Sequence, residues 1–188
     1  DKSLIQIDSG AADINRFHIL ETIRQYAHEK LVETRQVEAI RERHLQIYFE
    51  LAENLEMKLR GPDQVRILER LEIELDNLRL ALAWSLEGKC RPGWNPEPGL
   101  RLASALQWFW QCRARQDEGL QWLELLLAGE LEERGIKSLT PERTRCRARA
   151  LVVAAWSALD ISEFTKASRY SAESRELYKS LGQDGRLG

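Results

Sequence analysis

Cysteine is sparse in this 188-residue chain, with only Cys90, Cys112 and Cys146, placed 22 and 34 residues apart. An odd number at such intervals, with no Cys-x-x-Cys, suggests neither a zinc site nor a disulfide framework. Buried or incidental thiols in a reducing compartment are expected. Five prolines and eleven glycines are too few for a collagen-like or disordered chain. No apolar run approaches the roughly 18 residues of a bilayer span, and no signal-peptide pattern opens the chain. No membrane span is expected, and a cytoplasmic location is. An excess of one charge is also missing: 28 Lys and Arg face 30 Asp and Glu, a net −2, which removes any general attraction to nucleic acid. Catalytic signatures are absent too. There is no HExxH, no Ser/His/Asp order and no phosphate-cradling Gly-x-x-x-x-Gly-Lys-Ser/Thr. What is abundant is helix-forming residues: Leu, Glu, Arg, Ala and Lys make up 97 of the 188, the level at which long helices become the default expectation.

The first residues follow another pattern. Leu4-Ile5-Gln6-Ile7 and Arg16-Phe17-His18-Ile19 flank a turn-rich stretch from Asp8 to Asp13 and predict one β-hairpin. An isolated hairpin is marginal in water, and the chain opens at Asp1 without Met, so a fragment of a longer protein is expected. Helical periodicity then takes over. Ile19, Ile23, Tyr26, Ala27 and Leu31 form one stripe, and Val37, Ile40, His44, Ile47, Tyr48, Leu51 and Leu55 a second. After the break at Gly61-Pro62-Asp63, Ile67 to Leu86 predicts a third helical stretch, kinked near Asp76-Asn77. Three prolines between positions 88 and 98 mark the clearest loop. Two helix pairs follow: 99–115 with 118–128, and about 141–160 with 163–181. Thr140 is placed to cap the helix beginning at Pro141, and Gly182 to end the last one.

The two pairs are related. Arg101 and Trp108 lie seven residues apart, as do Arg149 and Trp156, and the second couple is offset from the first by 48 residues. Recurring helical hairpins are the signature of a stacked repeat array. Leu151, Ala155, Ala158, Phe164, Ala167 and Ser174 fall where a tetratricopeptide repeat wants large apolar, small and aromatic residues, so the last unit resembles that motif. The earlier unit, with Leu106, Trp110, Gly119 and Leu123, is a looser match, with Gln107 and Gln116 in place of the expected small and aromatic residues.

Further upstream, Asp1-Lys2-Ser3-Leu4 and Arg16 through Ala27 are followed by Arg43-His44, Gly61-Pro62-Asp63, Glu74 through Arg79, and Trp108-Phe109-Trp110. This ordered string resembles bacterial signal-transduction ATPases of the STAND class, NB-ARC-like regulators that include LuxR-type and antibiotic-regulatory transcription factors. The resemblance implies an all-α, tetratricopeptide-like α-α superhelix with a short N-terminal β-hairpin from a truncated winged-helix domain. It divides the chain into the end of a winged helix (1–34), a helical linker region (35–98) and repeats (99–188). It further implies a non-catalytic sensor or protein-interaction module, one that binds an inducer or partner and controls an upstream ATPase by intramolecular contact. ATP or ADP is expected only for that upstream domain, and no cofactor for this chain.

The residues themselves leave alternatives open. His44 lies on an apolar stripe and reads as a core histidine; His18 falls in the hairpin and His28 beside Glu29, with no catalytic constellation around them. Arg143, Arg145, Arg147 and Arg149 are spread around a helix by their two-residue alternation. They read as a solvated helix start, with an acidic or phosphate partner as the other possibility. Asp8 and Asp13 at the hairpin tip would repel phosphates, which argues against DNA contact there. Trp84, Trp110 and Trp122 fit core positions, whereas Trp108 and Trp156 fall where tetratricopeptide arrays face their groove. The groove candidates are therefore Arg101, Trp108, Gln111, Arg149 and Trp156, an aromatic and cationic ladder suited to a protein or peptide partner or a small-molecule inducer. A structural or self-association scaffold without ligand is the alternative.

Overall fold

A computed structural model describes residues 5–9, 15–19, 21–34, 36–87, 94–134 and 140–182. The hairpin tip, Cys90 and much of the 88–98 loop lie outside the described residues. The chain divides into two compact units, Asp1–Glu42 and Arg43–Gly188, with the division falling inside a helix.

In the first unit, β1 (Ile5–Ser9) pairs antiparallel with β2 (Asn15–Ile19), in a register that sets Ile5 opposite Ile19 and Ile7 opposite Phe17. The helix α1 (Glu21–Glu33) follows and ends where the Thr34 hydroxyl donates to the Lys30 carbonyl at 2.9 Å. The next helix, α2 (Val37–Glu56), begins in this unit and runs into the second.

Among the described residues of the second unit every regular element is a helix. On α2 the buried residues are Leu45, Phe49, Ala52 and Leu55; of the stripe expected from the sequence, Leu55 is buried and Tyr48 and Leu51 pack partly buried against the core. Ile47 is 52% exposed. Apolar residues stand on two adjoining faces of this helix, and the 45/49/52/55 face won because Leu45, Ala52 and Leu55 join the main core. A short 3-10 turn, Met57–Arg60, buries Leu59. Then come α3 (Gln64–Ile73) and α4 (Leu75–Glu87). The kink expected near Asp76-Asn77 lies instead at Glu74, whose φ of −92° and ψ of 4° bend the chain. One Glu74 carboxylate oxygen accepts from the Tyr48 hydroxyl at 2.8 Å and the Asn77 amide at 2.7 Å, tying the bend to α2.

Trp94 is buried, its indole donating to the Ser85 carbonyl at 2.6 Å. The first helix of the next pair is not continuous over 99–115. It forms α5 (Glu97–Ala105) and α6 (Gln107–Cys112), broken at the buried Leu106. Its reversal lies at Ala114, in left-handed backbone with φ 53°, and α7 (Gln116–Arg134) continues well into the stretch expected to be connector. A Cβ on Gly119 would sit 2.8 Å from Trp110 Cγ, so only glycine lets α7 close on α6.

The last pair runs close to expectation: α8 (Pro141–Asp160) and α9 (Phe164–Ser180). Thr140 is extended, with φ −66° and ψ 159°, and its hydroxyl accepts from the Arg143 N–H at 3.3 Å, satisfying one orphan donor of the first turn. At the far end Gly182, with φ +66°, donates its N–H to the Lys179 carbonyl. Ala148, Leu151, Ala154, Ala155 and Ala158 of α8 are buried, along with Ala167, Tyr170 and Leu177 of α9. The small residues let the helices approach closely enough for the Ser174 hydroxyl to donate to the Ala148 carbonyl at 2.9 Å. No described helix is long and apolar enough to cross a membrane.

Candidate interaction face

Arg101 stands on α5, Trp108 and Gln111 on α6, Arg149 and Trp156 on α8. Both arginines turn toward α2. The Arg101 guanidinium grips Glu53 with two hydrogen bonds, Nε to Oε1 at 2.8 Å and Nη2 to Oε2 at 2.9 Å. Its carbon lies 4.7 Å from the centre of the Phe49 ring, and Glu97 approaches it at 3.5 Å. Arg149 donates to Glu56 at 2.6 Å. Burial disfavours the charge on Arg149, but the Glu56 carboxylate more than offsets this and raises its pKa above the ordinary arginine value. The repeated arginines thus meet two carboxylates three residues apart, one helical face of α2.

The tryptophans fare differently. Trp108 is half-buried, with the Arg60 guanidinium carbon 5.1 Å from its ring centre. Its indole N–H is buried with no hydrogen-bond partner among the described residues. Trp156 is 57% exposed, and no described residue stacks on it. Gln111 is exposed, and its carbonyl is approached at 3.5 Å by the Gln116 amide. The arginine and tryptophan of one repeat do not stack on each other among the described residues; each is engaged, where it is engaged, from α2 and the turn after it. Glu53, Glu56, Phe49 and Arg60 are the participants that sequence reasoning missed, since nothing local marks a partner 48 or 93 residues away.

The arginine run of α8 corrects another expectation. Arg147 is not solvated: its side chain is 2% exposed and donates to Glu173 of α9 at 2.6 Å and to the Leu127 carbonyl of α7 at 2.9 Å. Arg143 is half-buried, Arg145 is exposed, and Arg149 is held by Glu56. The anions for Arg147 and Arg149 come from the chain itself. Of the three tryptophans placed in the core by sequence, Trp84 and Trp110 are buried and Trp122 packs partly buried against it. His44 lies half-buried against Tyr48, ring centres 4.6 Å apart. Cys112 and Cys146 are free thiols. Among the described residues no cluster of His, Cys, Asp and Glu is arranged to hold a metal ion.

No family model and no solved structure matches the chain. Curated proteins do. Over 158 residues, 84% of its length, the chain is 36% identical to a "Putative HTH-type transcriptional regulator" of Mycobacterium bovis. The same identity and coverage hold for proteins of the same description in two strains of Mycobacterium tuberculosis. The matched stretch is 17% of each of those proteins. The chain is thus related over most of its length to one segment of much longer proteins named as transcriptional regulators.

Proposed function

We propose that this chain is a non-catalytic sensor and protein-interaction module of a STAND-type transcription regulator or signalling ATPase. Residues 1–34 would be the end of a winged helix, 35–98 a helical linker region and 99–188 tetratricopeptide-like repeats in the cytoplasm. The module binds a partner or inducer through the repeat face and controls an upstream ATPase domain, which would be the site of any ATP or ADP. The likeness to a segment of longer transcriptional regulators supports the setting. The observation that carries the binding role is Trp156, a large aromatic side chain more than half exposed on α8, in line with Arg149. Exposed aromatic residues beside arginine are the usual anchors of protein recognition.

Photo-crosslinking tests this directly. A photoreactive residue at position 156, introduced into the chain in its host cell, is expected to give a discrete protein adduct. The same probe at the exposed Val65 of α3 is expected to give none. Equal labelling from both positions would remove the reading. With the probe moved to the neighbouring exposed Leu159, Trp156→Ala is expected to abolish the adduct while leaving helicity nearly unchanged. One observation favours a second reading, the scaffold without ligand: Arg101, Arg149 and Trp108 already have internal partners in Glu53, Glu56 and Arg60. A purely structural scaffold predicts no adduct from position 156, and a self-association scaffold predicts an adduct of two chain masses alone.

A further inference from the structure

Beyond the arginines gripped by α2, one face of α8 is largely open, engaged among the described residues at Arg149 by Glu56. Arg145, Arg149, Val152, Trp156, Leu159 and Asp160 follow one another at intervals of four, three, four, three and one. At 3.6 residues per turn they occupy about 100° of arc. Trp156 and Leu159 are exposed large apolar side chains, and Val152 is half-buried. The two ends of this seam carry opposite charges. Arg145 and Asp160 are both exposed and make no ion pair among the described residues.

The spacing of these groups has a symmetry. Arg149 and Trp156 are seven apart, Arg145 and Asp160 fifteen apart, and both intervals are centred between Val152 and Val153. A two-fold axis at that point, relating two antiparallel copies of α8, sets Arg149 of each copy opposite Trp156 of the other. The same operation sets Arg145 opposite Asp160 at both ends and brings the two Val152 side chains together. Such self-complementarity is what an isologous interface requires. Antiparallel alignment also places each helix N-terminus beside the other's C-terminus, which the helix dipoles favour.

The molecule already uses the contact that this pairing would create. Arg60 covers Trp108, and Arg101 covers Phe49 while bound to Glu53. A guanidinium held edge-on by a carboxylate keeps its flat face available for a ring. Arg149 is held in this way by Glu56, and Trp156 is the repeat-related ring without a cover among the described residues. We propose that the partner of the Trp156 face is a second copy of this chain, docked through an antiparallel α8–α8 seam. This rests on the interaction reading above and names its partner. A heterologous basic segment would cover Trp156 but would leave the matched charges at Arg145 and Asp160 without a purpose. A single helix seam is small beside the roughly 800 Å² per partner of a standard interface, so the dimer is expected to be reversible in the micromolar range.

Sedimentation velocity over a concentration series is the test. The wild-type chain is expected to pass from monomer to dimer, and Trp156→Ala to remain monomeric. Arg145→Asp and Asp160→Arg, both at exposed positions without an ion pair among the described residues, are each expected to weaken the dimer about tenfold, because the two-fold doubles every unfavourable pair. The exchange Arg145→Asp with Asp160→Arg is expected to restore it to within about threefold. A wild-type chain that stays monomeric throughout, single variants that dimerise unchanged, or an exchange that fails to restore association each overturn the proposal. The photo-adduct separates the two claims. An adduct of two chain masses supports the dimer, whereas a heterologous adduct beside a monomeric wild type overturns the dimer and leaves the interaction role standing.

Discussion

Arg147 carries a full charge into the space between three helices, and its cost and its value both follow from that. A buried guanidinium must be matched by hydrogen bonds, and Glu173 and the Leu127 carbonyl provide them. Arg147→Ala strands the Glu173 carboxylate and opens a cavity, so a loss of about 3–5 kcal/mol is expected by urea unfolding. Arg147→Met with Glu173→Leu removes both charges and retains the volume; much of that loss is expected to return. If the double variant were no better than Arg147→Ala, the pair would not be the source of the loss. Gly119 is a matching case in apolar packing. A methyl there meets the buried Trp110 ring, so Gly119→Ala is expected to cost about 1–3 kcal/mol despite its gain in helix propensity. At this scale the sequence was informative about type and silent about partner. Trp84 and Trp110 read as core from their positions in the helical pattern, but a run of arginines at alternate positions gives no sign that one of the four points inward. The fate of Arg147 depends on α7 and α9 arriving on its side of α8, a long-range fact.

Helix ends were more legible than helix interiors. Thr140 followed by Pro141 combines a side-chain acceptor with a residue that needs no N–H partner, and α8 starts there. Thr140→Ala is expected to lower stability by about 1 kcal/mol, read as a fall in thermal midpoint. The turn after α8 offers the opposite change. Ser162 sits at φ 64°, a conformation that costs a side-chain-bearing residue roughly 1 kcal/mol. Ser162→Gly is therefore expected to raise the midpoint slightly, and a fall would mean that the hydroxyl contributes more than the strain costs. Interior breaks were harder to read because no proline or glycine marks them. Leu106 is a good helix former, yet it separates α5 from α6 while buried between them. Glu74 bends the chain because its carboxylate serves Tyr48 and Asn77 at once. The face of α2 was misread in part for a related reason: Leu55 is buried as expected, but apolar residues stand on two neighbouring faces, and packing favoured Leu45 and Ala52 over Ile40 and Ile47.

Across the whole second unit, ion pairs and a half-buried histidine link elements far apart in sequence, which makes stability a function of pH. Glu118 of α7 is gripped by Arg79 of α4 at 2.7 and 2.8 Å. These hydrogen bonds hold the Glu118 carboxyl below its ordinary value of 4.5, with burial acting the other way. The unfolded chain therefore binds a proton there first as pH falls. The contribution of this pair is complete above 4.5 and is lost as pH drops through the lower folded value. His44 acts in an earlier window. Burial disfavours its imidazolium most strongly, the Asn77 hydrogen bond and the Glu74 charge oppose this, and the net effect is a pKa below 6.5. Below 6.5 the unfolded chain holds the extra proton, so stability falls from that point until the folded histidine also protonates. Two descending steps are expected in a plot of urea midpoint against pH, the first beginning near neutrality and the second in the acid range. His44→Gln is expected to flatten the first step and keep the second, and Glu118→Gln to do the reverse. An unchanged slope for His44→Gln between about pH 7 and 5 would assign that step to another group, since histidine is the side chain that ordinarily titrates in that interval and the chain also holds His18 and His28.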